Sequence, residues 1–170
     1  MTRHVALLGA LLLAAAPLAH AAPAPRLAIS SFAQLKTPLP YPYDEAANAD
    51  AQVAAALAKA RAHGKLLLID LGGDWCGDCR ILAATMELPE LKAFVDGHYE
   101  LVSVDVGRMD RNLQVPARYG ITQRLEGVPS LLVVDPLSGK LLNRDQISHL
   151  ADARHMSPQA LADWLAKWTN

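Results

Sequence analysis

The chain contains two cysteines, Cys76 and Cys79, and only two residues separate them. A disulfide between them closes a very small loop, which restricts the unfolded chain little and stabilises the fold little. The spacing suits redox chemistry better, because one thiolate can attack a substrate disulfide and a nearby thiol can then resolve the mixed disulfide. An inert structural disulfide and half of a zinc site are the alternatives, and the zinc site lacks a second cysteine pair.

The elements around the pair predict which thiol attacks. Residues 65–71 form a short apolar run bounded by glycines, which predicts a central strand buried on both faces. A helix then begins at Cys76, where free backbone amides and the helix dipole favour the thiolate. Cys79 follows one turn later on the same face. We therefore predict that Cys76 is the attacking thiol and Cys79 the resolving thiol.

The remaining pattern predicts an α/β fold with a mixed central sheet flanked by helices. Further strands are expected at residues 99–106 and 130–134, and a hairpin partner of the last strand is expected at 140–143. Helices are expected at residues 50–62, 113–119 and 158–168. Another helix is expected from Cys76 to near Gly97, with an interruption at Pro89. This order places parallel strands first and an antiparallel hairpin last, which requires helices on both faces of the sheet.

The motif around the cysteines resembles the thioredoxin family. The segment Trp75-Cys76-Gly77-Asp78-Cys79-Arg80 is similar to the family's W-C-G-P-C-K, with Asp in place of Pro and Arg in place of Lys. The family also carries a buried aspartate six residues before the first cysteine, and Asp70 stands there. The resemblance implies a thioredoxin-like fold in which Asp70 accepts the proton of the resolving thiol, and a buried carboxyl is expected to have a raised pKa.

A second matching segment, Gly127-Val128-Pro129-Ser130, resembles the family's cis-proline loop, here preceded by a few extra residues at 122–126. The resemblance implies that Pro129 is cis and that the Val128 backbone pairs with an extended substrate. Trp75, Gly77 and Asp78 are the other expected substrate contacts. An ordinary trans proline, and a Trp75 that only packs, are the alternatives.

The two residues between the cysteines influence the direction of electron flow. A carboxylate at Asp78 is expected to oppose thiolate formation at Cys76, which favours a reducing pair, and Arg80 offsets part of this effect. The prediction is a protein-disulfide reductase that needs no cofactor or metal, because the cysteines carry both electrons. A dithiol oxidase or isomerase is one alternative. A non-enzymatic chaperone or metal-delivery scaffold is another.

The N-terminus predicts export. Residues 1–21 combine an early positive charge, an apolar run too short to span a bilayer, and small residues before a cleavage point after Ala21, as in a signal peptide. Residues 22–49 are rich in Pro and Ala and predict an extended leader, whose side chains dock on a domain at 50–170. The side chains expected to dock on the core of that domain are Leu27, Ile29, Phe32, Tyr41 and Tyr43. We expect a periplasmic location without a stable membrane anchor.

Composition restricts the possible partners. The formal net charge is -1, with 16 Lys and Arg against 17 Asp and Glu, so a nucleic-acid or anionic-membrane footprint is not expected. In an exported space the expected partners are proteins with disulfides and a membrane reductase that donates electrons.

Overall fold

The computed structural model describes residues 22–169. The predicted signal peptide, residues 1–21, lies outside the described residues. Among residues 22–169, no helix is both long enough and apolar enough to cross a bilayer.

Helices and strands alternate along the described chain, except for two consecutive helices after the first strand. The helices are α1 (Ala49–His63), α2 (Gly77–Met86), α3 (Pro89–His98), α4 (Gln114–Ala117) and α5 (Pro158–Ala166). The strands are β1 (Leu66–Gly72), β2 (Tyr99–Asp105) and β3 (Ser130–Val134), and short 3₁₀ turns occur at Phe32–Gln34, Arg144–Gln146 and Ala153–His155. The helix predicted from Cys76 is interrupted before Pro89 as expected, because proline takes the first position of the second helix.

The described strands form one mixed sheet in the order β2-β1-β3. β1 runs parallel to β2 and antiparallel to β3, so it is the central strand. Asp70 of β1 lies opposite Ser103 on one side and Leu131 on the other. The predicted α/β fold with a mixed central sheet flanked by helices is confirmed, and β1 carries the chain directly to the cysteines.

Two apolar clusters cover the sheet. Alternate residues of β1 such as Leu67 and Ile69 pack with α1 in one cluster, which also contains both cysteines. Leu68 packs with α2, α3 and α5 in the other cluster. The near-continuous burial of β1 explains its unbroken apolar sequence, because both faces of the strand are covered.

The predicted hairpin partner at residues 140–143 does not form a strand, and that expectation is wrong. A single bridge joins Val134 to Leu141. Beyond it, one backbone hydrogen bond runs from Leu142 N to Val133 O at 2.8 Å. The side-chain amide of Asn143 supplies the next contacts, because its Oδ1 accepts from Val133 N at 2.9 Å and its Nδ2 donates to Leu131 O at 2.8 Å. A side chain that satisfies backbone groups in this way competes with strand pairing.

The segment before α1 lies against the domain. Its first part runs beside the C-terminal helix, where Ala22 N donates to Thr169 O and Leu27 N donates to Gln159 Oε1. Its last part reaches the cysteines, where Tyr43 is buried. Tyr41 is 66% exposed, so the expectation that it docks in the core is wrong.

Candidate active site

The two cysteines lie at the start of α2 and form a disulfide in this structure. Their Cα atoms are 5.3 Å apart. Cys76 is 5% exposed, whereas Cys79 is completely buried. A substrate therefore reaches Cys76 more readily than Cys79, as the assignment of attacking and resolving thiol requires.

Cys76 is the N-cap residue of α2, and its sulfur accepts a hydrogen bond from Cys79 N at 3.1 Å. This contact satisfies one of the free amides of the first turn and stabilises negative charge on the sulfur. The same sulfur lies 3.3 Å from the carbonyl oxygen of Val128. In the reduced protein that oxygen can accept a hydrogen bond from the thiol but not from the thiolate, so it favours the protonated form.

Asp78 does not face Cys76 as a free carboxylate, because Arg154 binds it. The guanidinium donates from Nε to Oδ1 at 2.9 Å and from Nη2 to Oδ2 at 2.7 Å, and Arg154 N also donates to Oδ1 at 2.9 Å. Burial raises the pKa of Asp78, but hydrogen bonds from Arg154 outweigh it and the pKa lies below its ordinary value. The carboxylate is therefore charged at neutral pH, and a cation compensates it.

Asp70 is completely buried in β1, as the resemblance implied. Its Oδ2 accepts a hydrogen bond of 2.9 Å from the hydroxyl of Tyr43. Burial raises the pKa of Asp70 to about 7, although the hydrogen bond from Tyr43 acts in the opposite direction. A carboxyl group with this pKa can take up and release a proton near neutral pH, which is suited to general acid-base work.

Trp75 lies beside the cysteines and is 46% exposed. Its indole Nε1 donates to Gly107 O at 2.8 Å, and the guanidinium of Arg108 stacks 4.7 Å from the ring centroid. These contacts fix the ring while leaving one side open to solvent. The exposure fits a contact with a substrate chain, although the ring also packs locally.

The structure brings the sequence-predicted site residues together around the start of α2. Val128-Pro129 is a cis peptide bond, as the resemblance implied, and the Val128 carbonyl contacts Cys76. Gly77 is exposed on the first turn beside Arg154. Sequence reasoning missed the site roles of Arg154 and Tyr43, which lie 76 residues after Asp78 and 27 residues before Asp70. No local motif marks either residue.

A mixed sheet with a Cys-x-x-Cys pair at the start of the following helix defines the thioredoxin-like class of folds. The sequence model of the Thioredoxin-like family matches residues 48–136, which is just over half of the chain. The protein belongs to the thioredoxin-like family.

Among curated proteins, the chain is similar to bacterial thioredoxins. It is 30% identical over 69 residues to a thioredoxin of Alicyclobacillus acidocaldarius subsp. acidocaldarius, covering 41% of this chain and 57% of that protein. It is 31% identical over 77 residues to a thioredoxin of Acidithiobacillus ferridurans, covering 45% of this chain and 61% of that protein. The chain therefore spans about three fifths of the length of these curated relatives.

A solved structure gives a longer match. The crystal structure described as a disulphide isomerase from Xylella fastidiosa Temecula1 superposes with a TM-score of 0.70 at 39% sequence identity. The match covers 78% of this chain and 99% of that one. The fold and the Cys-x-x-Cys pair at disulfide distance together support thiol-disulfide oxidoreductase chemistry.

Proposed function

We propose that this protein is an exported thiol-disulfide oxidoreductase that reduces disulfides in other exported proteins. The observation that carries the proposal is the pair itself: a slightly exposed Cys76 at a helix N-terminus, with a fully buried Cys79 one turn behind it. The thiolate of Cys76 attacks a substrate disulfide and forms a mixed disulfide. Cys79 then attacks Cys76 and releases the second substrate thiol.

The surroundings of Cys76 support the direction toward reduction. The Val128 carbonyl favours the thiol over the thiolate, and the Asp78 carboxylate also opposes the thiolate, although Arg154 compensates part of its charge. A thiolate that is only weakly stabilised gives a more negative reduction potential, because the reduced form of the pair gains less. Thioredoxins, which the chain resembles, lie at that end of the range.

The cellular setting is part of the proposal. The apolar run within residues 1–21 favours export to a periplasm, and an exported reductase needs a continuous supply of electrons. A membrane reductase that meets the Cys76 face is the donor we propose. Sequencing the N-terminus of the mature protein recovered from a periplasmic extract tests export, and it should begin at Ala22.

Turnover tests the activity directly. Wild-type protein should accelerate the reduction of insulin disulfides by dithiothreitol, and Cys76→Ser should not. The double variant Cys76→Ser/Cys79→Ser is the matched control for a contribution from the fold alone. Equal rates for wild type and this double variant would contradict the proposal.

Disulfide isomerisation is the second candidate, favoured by the description of the Xylella fastidiosa structure. An isomerase rearranges non-native disulfides and therefore restores activity to scrambled ribonuclease. A reductase fed with dithiothreitol only reduces that substrate. Recovery of ribonuclease activity that depends on Cys76 but not on Cys79 would favour isomerisation.

A further inference from the structure

The segment just before α1 is fastened to the redox motif by Arg80, the residue that follows Cys79. The guanidinium donates to Leu39 O at 2.8 Å and to Pro40 O at 3.1 Å. It also stacks 3.9 Å from the centroid of the Tyr41 ring. The segment is thus held at a fixed position against the end of the Cys-x-x-Cys motif.

A second attachment lies on the other side of the motif. Tyr43 N donates to Asp74 Oδ1 at 3.2 Å, and Asp74 directly precedes Trp75. These attachments direct the side chain of Tyr43 into the core, where it is only 4% exposed. A phenolic hydroxyl is costly to bury without a partner, and Asp70 is that partner.

The Asp70 carboxylate is unevenly satisfied. Its Oδ2 accepts the hydrogen bond from Tyr43, whereas its Oδ1 is buried and has no hydrogen-bond partner within residues 22–169. A buried oxygen without a partner is unusual in a folded protein and needs an explanation. Oδ1 is thus the carboxylate oxygen left available for a proton.

Gly72 brings the Tyr43 hydroxyl and the resolving sulfur to the same place. A side chain at this position would overlap Tyr43 Oη, and its Cβ would lie only 2.9 Å from Cys79 Sγ. Both atoms therefore occupy the space beside the bare Cα of Gly72, at the end of the strand that carries Asp70. The Tyr43 hydroxyl, the Asp70 carboxylate and the buried sulfur of Cys79 form one cluster.

We propose that Tyr43, supplied by the segment before α1, is a positioning residue for the resolving step. It holds the Asp70 carboxylate through Oδ2 in the ionised form that accepts the proton of Cys79. This inference rests on the proposed oxidoreductase function, and it assigns the segment a part in the chemistry.

In the resolving step, the Asp70 carboxylate takes the proton of Cys79, and the resulting thiolate attacks the sulfur of Cys76 in the mixed disulfide. The Cys76–Cys79 bond forms, and the bond between Cys76 and the substrate sulfur breaks. The substrate sulfur leaves as a thiolate and is protonated by solvent, to which Asp70 later returns its proton. The dithiol supplies both electrons, so the substrate disulfide becomes two thiols.

Loss of the Tyr43 hydroxyl should raise the pKa of Asp70. Burial raises the pKa of Asp70 to about 7, and the hydrogen bond from Tyr43 lowers it. Without that bond the pKa lies higher, so a smaller fraction of Asp70 is ionised at neutral pH. The resolving step should slow near neutral pH and recover at higher pH.

Tyr43→Phe is the test, and Tyr41→Phe is the matched control two residues away in the same segment. Reduced protein reacts with dithiobis(nitrobenzoate) in two phases: Cys76 releases the first coloured thiolate and Cys79 the second. In Tyr43→Phe the second phase should slow roughly threefold to tenfold near neutral pH and its pH midpoint should rise by up to about 1 unit. The first phase, and both phases of Tyr41→Phe, should match wild type.

The double variant Asp70→Asn/Tyr43→Phe tests whether Tyr43 acts through Asp70. Its second phase should be no slower than that of Asp70→Asn alone. An equal slowing by Tyr43→Phe in both backgrounds would overturn the proposal. So would a second phase in Tyr43→Phe that matches Tyr41→Phe at every pH.

A measurement on the wild-type side chain covers the case in which Tyr43→Phe does not fold. The isotope-labelled Cζ resonance of Tyr43 should shift with pH as Asp70 ionises, and the shift should vanish in Asp70→Asn. A resonance that does not respond would overturn the proposal. A wild-type protein that releases no second thiolate would instead contradict the proposed function, which separates the two failures.

Discussion

Arg154 binds the carboxylate of Asp78, with Nη2 2.7 Å from Oδ2, and Asp78 lies two residues after Cys76. The Asp78 side chain is 12% exposed and the Arg154 side chain 52% exposed. The pair places a compensated charge, rather than a bare carboxylate, in the first turn of α2. From sequence alone we expected Asp78 to oppose thiolate formation, and Arg154 reduces that effect.

Removing Arg154 and removing the charge of Asp78 should change the pKa of Cys76 and the reduction potential in opposite directions. Arg154→Ala leaves the carboxylate uncompensated, so the pKa of Cys76 should rise and the reduction potential should become more negative. Asp78→Asn leaves the cation of Arg154, so the pKa of Cys76 should fall and the reduction potential should become less negative. Because solvent screens the exposed guanidinium, we expect less than about 1 pH unit, or about 30 mV, in each case.

Thiolate absorbance against pH and a glutathione titration measure the two quantities. Arg118→Ala, which removes the arginine of an exposed ion pair with Asp50, is the control and should leave both unchanged. Shifts of the same sign in Arg154→Ala and Asp78→Asn would mean that the pair does not act through its charge.

Cys79→Ser should trap substrates on Cys76. Without the resolving thiol, the mixed disulfide has no intramolecular exit and accumulates. Non-reducing electrophoresis of extracts should show adducts that disappear on reduction. Cys76→Ser is the control and should give few adducts, because Cys79 is buried. An equal yield of adducts in the two variants would reverse or remove the assigned roles.

Asp70→Asn should alter the pH dependence of stability. Burial raises the pKa of folded Asp70 from 3.8 to about 7, so between these values the folded state binds more protons than the unfolded state. Wild-type stability should therefore fall as pH rises through this window. Between about pH 4.5 and about pH 8, the free energy of unfolding of wild type should fall by about 3 kcal/mol relative to that of Asp70→Asn.

Urea unfolding of the oxidised proteins at the two pH values measures this difference. Asn retains an acceptor for Tyr43, so the substitution removes the titration while keeping the contact. Asp96→Asn, which changes an exposed aspartate of α3, is the control and should follow wild type. A parallel pH dependence in Asp70→Asn and wild type would contradict the raised pKa.

Gly72→Ala should damage both the fold and the redox site. Its Cβ would overlap the Tyr43 hydroxyl and lie 2.9 Å from Cys79 Sγ, and crowding of this kind costs about 1–3 kcal/mol. Gly97→Ala is a matched control in α3, because its Cβ meets no atom within 4 Å. That control should raise stability by up to about 1 kcal/mol. Thermal unfolding measures the stability of the two variants. Equal stability of Gly72→Ala and Gly97→Ala would contradict the close approach at Gly72.

The parts of the fold that follow from local pattern were predictable. Residues 131–134 are apolar and followed by a turn, and β3 spans Ser130–Val134 as predicted. The position of the cysteines at the start of a helix followed from the local pattern, and the burial of Asp70 was implied by the resemblance to the thioredoxin family. The predicted hairpin strand does not form because the side chain of Asn143, rather than its backbone, pairs with Val133 N and Leu131 O.

The residues that bind the carboxylates of Asp78 and Asp70 come from distant parts of the chain. Arg154 belongs to a 3₁₀ turn just before α5, and Tyr43 belongs to a proline-rich segment without a periodic pattern. An exposed arginine and a tyrosine in such positions are ordinary surface or packing residues until the fold brings them to the cysteines. The sequence carried no spacing signal for either contact.

The equilibrium reduction potential of the Cys76–Cys79 pair distinguishes a reductase from an oxidase. Titration of the full chain against dithiothreitol and glutathione mixtures, read by thiol alkylation, gives the value. A reductase should have a potential near -270 mV, as for thioredoxin. A potential above about -150 mV would contradict a reductase, and a pair that never exchanges with the buffer would contradict thiol-disulfide chemistry altogether.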